Sequence, residues 1–162
     1  MTMRLILMRH AKSSWDAPAA SDIDRPLNTR GARSAIALGN WLRQNGHMPT
    51  EALVSAAKRT MQTFEGLALE CPVQFKRALY HAGPNAMMQV LGSATAPTVL
   101  MIGHNPGIAE FAERLVQTAP DHPRFYDYPT GATLVADFTA SEWAHVDWHS
   151  GKVVDFVVPR EL

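Results

Sequence analysis

"MRLILMR" (residues 3–9) and "TVLMIGH" (residues 98–104) are the two stretches whose reading decides the fold. Each is a short, nearly unbroken apolar run. A strand with one wet face would alternate apolar and polar residues, so both describe strands covered on both sides, the habit of parallel sheets. The rest of the chain is read outward from them. "EALVS" (51–55) is a third strand and "VQF" (73–75) a weak fourth. Between the strands, residues 29–45 carry apolar positions at helical spacing up to Gly46, residues 58–70 form an amphipathic helix, and Pro84 opens a helix through residue 94. After "TVLMIGH", Asn105 is expected to cap the next helix with Pro106 at its first position. "ATLVADF" (132–138) and "VVDFVV" (153–158) read as antiparallel strands. Residues 11–27 form a long loop, with no repeat or linker elsewhere. The expectation is an α/β fold in one domain (1–162), with a mostly parallel central sheet flanked by helices and edged by antiparallel strands.

Composition narrows the function classes. In 162 residues, 46% are apolar and 15 Lys and Arg balance 15 Asp and Glu. A nucleic-acid or anionic-membrane surface needs an excess of positive charge and is not expected, so any anion site must be local. The N-terminal apolar run is too short for a signal peptide and no stretch reaches the length of a membrane span. The single cysteine, Cys71, permits no internal disulfide, and its surroundings fit a structural thiol. A cytoplasmic protein is the expectation.

Ligands of open α/β sheets bind beyond the carboxyl ends of the parallel strands. After the first strand stand Arg9 and His10; after "EALVS", Lys58 and Arg59 begin a helix; after "TVLMIG" comes His104. Taken singly, each has an ordinary explanation: a strand-end pair, a solvated helix start, a capping turn. Together they bring two guanidiniums and two imidazoles to one sheet edge, a cluster that repels itself unless an anion is bound. Guanidinium forks match phosphoryl oxygens, and a neutral imidazole is a nucleophile. The constellation suits phosphoryl transfer, with His10 attacking phosphorus while Arg9, Arg59 and His104 stabilise the oxygens. Metal binding fits less well, because guanidiniums oppose a divalent cation and no zinc-like or di-metal spacing occurs. His47, His122, His145 and His149 read as structural or solvated, and His81 is left open.

"LMRHAKSSW", "DRPLNTRGARSA", "SAAKRTMQT" and "IGHNPGI" resemble, in order, the main motifs of the histidine phosphatase superfamily, and most closely its small SixA-type phosphohistidine phosphatase branch. "YPTGA" (128–132) and "VPREL" (158–162) extend the resemblance over most of the chain. It implies the fold of that superfamily, a covalent phosphohistidine intermediate on His10, a phosphate pocket of Arg9, Arg59 and His104, and no metal or organic cofactor. Lys12 and Ser13 are further candidate phosphate neighbours.

Two departures bear on the substrate. Larger relatives often carry "RHG" and an Asn six residues after the nucleophile; this chain has Asp16 there, to which no binding role is given. They also carry a general-acid Glu in the segment matching "FKRALYHAG", which here holds no carboxylate. Either His81, Asp22 or Asp24 supplies a proton, or the leaving group needs little help. A phosphoramidate P–N bond fits the second case, whereas an alkyl ester leaves as a strongly basic alkoxide. The expected substrate is a phosphohistidine-bearing protein, with a small phosphorylated metabolite as the enzymatic alternative and a non-catalytic phosphate-binding module as the alternative of another class. "RFYDYP" (124–129), Trp143 and Trp148 are read as core or rim packing or, less simply, a partner surface.

Overall fold

A computed structural model describes residues 2–15 and 21–162. Six strands form one sheet in the order β3-β2-β4-β1-β5-β6: β1 (Met3–Arg9), β2 (Glu51–Ser55), β3 (Val73–Lys76), β4 (Thr98–Gly103), β5 (Thr133–Phe138) and β6 (Lys152–Val157). The first four in that order are mutually parallel, while β5 and β6 run antiparallel at one edge. Asp16 of the sequence reading lies outside the described residues. No helix among them is long and apolar enough to cross a membrane.

The unbroken apolar run of β1 is explained by its place inside the sheet. Leu5 and Leu7 face one core cluster, with Leu53, Met101, Ile108 and Phe111. Ile6 and Met8 face the other, with Leu38, Leu42, Val54 and Ile102. Two helices cover each face. On one side lie α1 (Thr29–Gln44) and α2 (Lys58–Leu67), supplying Leu38, Leu42 and Leu67. On the other lie α3 (Pro84–Leu91) and α4 (Gly107–Leu115), supplying Met87, Leu91, Ile108 and Phe111. Burial of Leu, Ile and Phe side chains at about 1.5–3 kcal/mol each on both faces accounts for central strands without a wet side. The edge strands β3 and β6 keep exposed residues such as Phe75 and Val154.

Local chemistry sets the element ends. Asn28 caps α1, its Oδ1 accepting from the Gly31 N–H at 2.8 Å. α2 stops at Leu67, short of the expected residue 70, where Ala68 turns left-handed (φ 54°). Cys71 lies beyond that end, half-buried, and burial pushes its thiol pKa up. α3 ends at Leu91 rather than residue 94. The expected cap of α4 is corrected too: the helix begins at Gly107, and Pro106 precedes it. Asn105 caps nothing, because its Nδ2 donates instead to the carbonyls of Asp127 and Tyr128, at 2.9 and 3.1 Å.

Two glycines hold the loops at the carboxyl edge. A Cβ on Gly31 would run into the Lys12 carbonyl, and one on Gly107 into the Ala82 carbonyl. The starts of α1 and α4 are thereby brought against the turns after β1 and before α3.

Candidate active site

Register explains why the strand ends converge. Arg9 pairs with Gly103 across β1 and β4, and Val54 with Ile102 across β2 and β4. His10, His104 and Ser55 therefore leave three adjacent strands at about the same level. The His10 and His104 ring centroids lie 5.3 Å apart. Backbone bonds stitch the loops together: the His10 N–H donates to Gly103, and the Gly131 N–H to the His10 carbonyl at 2.9 Å. Thr63 on α2 accepts from the Ala11 N–H at 3.0 Å and donates to the Arg59 carbonyl at 2.7 Å.

His10 is 5% exposed, and its Nδ1 sits 2.7 Å from the Ala11 carbonyl. A carbonyl only accepts, so Nδ1 carries the proton and Nε2 keeps a free lone pair. Burial holds the imidazole pKa down to about 3, aided by His104, Arg9 and Arg59 against the Ala11 hydrogen bond. His104 is likewise held down to about 3, by burial first and then by Arg59. Both rings are neutral at pH 7.

The guanidiniums are fixed at their outer nitrogens. Arg9 Nη1 donates to the Tyr128 carbonyl at 3.1 Å. Tyr128 has φ 48°, a left-handed conformation rare for a bulky residue, and its buried hydroxyl donates to the Leu7 carbonyl at 2.6 Å. This strained backbone aims a carbonyl at Arg9, which gives "YPTGA" a structural task. Arg59 donates from Nη1 to the Asp22 carbonyl at 2.8 Å and from Nη2 to its carboxylate at 3.0 Å. Burial, then Arg59, lowers the Arg9 pKa.

Among the described residues four buried polar side-chain atoms have no partner: Arg9 Nε, Arg59 Nε and His104 Nδ1 of this cluster, and the neighbouring Asn105 Oδ1. Buried donors left unpaired cost about 1–3 kcal/mol each, and charged ones more. An anion seated among them removes that cost. His104 Nε2 lies 2.7 Å from Ser55 Oγ, which also accepts from the Ala57 N–H at 3.3 Å.

The remaining sequence candidates are placed as follows. Lys12 is exposed and lines a cleft with Arg9. Ser13 is buried, with its Oγ accepting from Arg25 at 2.8 Å. Asp22 accepts from Tyr80 (2.6 Å), Arg25 (3.0 Å) and Arg59; Tyr80 first, then the two arginines, hold its carboxyl below the usual range. Asp24 is exposed and accepts from Ser21. His81, in a left-handed conformation (φ 58°), stacks on Tyr80 with ring centroids 4.0 Å apart. It lines a cavity of about 170 Å³ together with His104 and Glu110. Phe125, Tyr128 and Trp143 are core residues, leaving Tyr126 and Trp148 exposed. Among the described residues no three His, Cys, Asp or Glu gather as a metal site. Ser55, Thr63, Tyr80 and the Tyr128 carbonyl escaped the sequence reading, because each acts through a contact between distant segments.

Known proteins resemble this chain in sequence and in fold. Residues 5–82 match the profile described as "Histidine phosphatase superfamily (branch 1)". An uncharacterised protein of Mycobacterium leprae is 32% identical over 162 residues, covering 94% of this chain and all of that protein. Phosphohistidine phosphatase SixA of Escherichia coli is 33% identical over 112 residues, covering 64% of this chain and 68% of SixA. A solved structure from Nakamurella multipartitia, provisionally assigned as a phosphohistidine phosphatase SixA, superposes with a TM-score of 0.85 at 29% identity, over 98% of this chain and 97% of that one.

Proposed function

Given that this chain belongs to the histidine phosphatase superfamily and is similar to its SixA members, we propose that it is a phosphohistidine phosphatase acting through a covalent phosphoryl group on His10. The observation that carries the reading is the set of unpartnered buried nitrogens, Arg9 Nε, Arg59 Nε and His104 Nδ1, around an imidazole whose Nε2 lone pair is free. That pocket is built for an anion next to a nucleophile.

In the first step the Nε2 lone pair of His10 attacks phosphorus, and the P–N bond of the substrate breaks with its electron pair moving to the leaving imidazole nitrogen. Arg9, Arg59 and His104 Nδ1–H take up charge on the non-bridging oxygens. Water then attacks phosphorus, the P–Nε2 bond breaks, and phosphate and free His10 result. The nucleophile needs no general base, because its proton sits on the other nitrogen, held by Ala11.

The proton for a leaving group is the finer question. Asp22 is kept ionised by its three donors, and Asp24 is turned to solvent. Of the three sequence candidates, only His81 shares a cavity with His104. A labile P–N bond, whose leaving nitrogen takes a proton from water, suits a site with so little acid assistance. This favours phosphohistidine over alkyl phosphates.

The test is turnover of a protein phosphorylated on histidine set against a panel of sugar phosphates. A kcat/KM at least a hundredfold higher on the former supports the reading, and the reverse order supports a small-molecule phosphomonoesterase. A non-catalytic phosphate binder would turn over neither and would hold phosphate equally well after His10→Ala.

A further inference from the structure

Arg9 is also a wall of a second cleft, of about 380 Å³, which shares no lining residue with the cavity of His81 and Glu110. Five cations line it: Arg9 and Lys12 from the end of β1 and the turn after it, Arg30 from the start of α1, Arg124 from the segment before Tyr128, and Arg160 near the C-terminus. Asp127 is the only carboxylate among the described residues of that lining, and it is taken up by Arg124 at 2.9 Å. Among the described residues no carboxylate lies within 4.0 Å of Lys12, Arg30 or Arg160. The chain as a whole carries no net charge. Four distant segments therefore collect an excess of positive charge in one place, directly beside the phosphoryl pocket.

We propose that this cleft receives an acidic segment of the phosphoprotein substrate, with carboxylates flanking the phosphohistidine. The proposal rests on the reading of His10 as the site of phosphohistidine hydrolysis. The form of the cleft argues for spaced carboxylates over one compact second phosphate. Arg59 and His104 are buried and leave unpaired nitrogens around one point. Lys12, Arg30, Arg124 and Arg160 are exposed and come from four separate segments of the lining, a set suited to solvated anions met one by one. Such contacts are individually weak, screened by salt, and act together.

The experiment uses the whole protein, wild type and Arg30→Ala/Arg160→Ala. Both residues are exposed and, among the described residues, lack carboxylate partners, so the fold does not depend on them. Three donors are compared: phosphoramidate, which reaches only the His10 pocket; a phosphohistidine peptide with Asp and Glu flanks; and the same peptide with Ser and Gly flanks. The wild type is expected to prefer the acidic peptide by about tenfold in kcat/KM at low salt, the scale of two or three weak ion pairs. The double variant is expected to lose the preference while keeping phosphoramidate turnover within about twofold.

Equal turnover of the two peptides by the wild type, or a preference that survives in the double variant, overturns the proposal. Fluorescence anisotropy with the labelled, unphosphorylated acidic peptide reads the cleft without chemistry. Binding that the double variant loses supports the cleft assignment even if every donor proves inert, in which case the phosphohistidine reading alone fails. Inorganic pyrophosphate displacing that peptide at far lower concentration than free Asp and Glu peptides do would mark a small-molecule second-phosphate site and overturn the proposal.

Discussion

Ser55→Ala tests whether a buried hydroxyl sets the protonation of the pocket. Ser55 Oγ accepts the Ala57 N–H at 3.3 Å and lies 2.7 Å from His104 Nε2, within reach to donate its own hydrogen there. With Nε2 accepting, the proton of His104 sits on Nδ1, the buried nitrogen without a partner. Without the hydroxyl the ring can carry its proton on either nitrogen and turn about its side-chain bonds. A hydrogen bond that supports a group facing developing charge is worth about 1.5–3 kcal/mol. At 1.36 kcal/mol per decade, kcat should fall by about ten- to a hundredfold. The Ala57 N–H loses only a long bond, so stability should fall by about 1 kcal/mol, or about 2–4 °C in Tm. The assay is steady-state turnover of phosphoramidate, paired with ¹⁵N NMR of the His104 ring. The wild type should show one tautomer, protonated on Nδ1, and Ser55→Ala a mixture. Unchanged kcat together with an unchanged His104 tautomer would refute the reasoning, since Ser55 would then only fill space.

Three further outcomes are expected. His81→Ala should lower turnover of an alkyl phosphate ester by about a hundredfold, the low end of general-acid assistance, and that of phosphoramidate by no more than about threefold; equal losses on both would remove His81 as proton donor. Stability should fall as pH drops from about 6.5 towards 3, because the unfolded chain binds protons that buried His10 and His104 refuse, on the order of 1 kcal/mol per pH unit for each. Urea midpoints across this range should slope less in His104→Ala than in the wild type, and identical slopes would contradict the burial argument. Gly107→Ala should destabilise by about 1–3 kcal/mol, because the new methyl meets the Ala82 carbonyl; a midpoint unchanged from wild type would mean that α4 shifts freely.

The sheet and the convergence of Arg9, His10, Arg59 and His104 were readable in the sequence for a physical reason. Strands buried on both faces announce themselves by unbroken apolar runs, and open α/β topology places whatever follows them at one edge. What was not readable depends on contacts between distant segments. Nothing near residue 9 says that a left-handed Tyr128 will offer it a carbonyl, and nothing near residue 104 says that Ser55 will meet its ring. Nothing near residue 22 says that Tyr80, Arg25 and Arg59 will surround the Asp22 carboxylate. Asn105 looked like a helix cap because its position suited one, but its amide serves the 127–128 carbonyls. The basic cleft is invisible in a neutral composition, since its cations come from four separate stretches.

The most direct test of the central claim is to quench a brief reaction with radiolabelled phosphoramidate under alkaline conditions and map the label. The account predicts acid-labile, base-stable phosphate on His10 and none in His10→Ala. Label on another residue, or turnover that continues undiminished in His10→Ala, would contradict it.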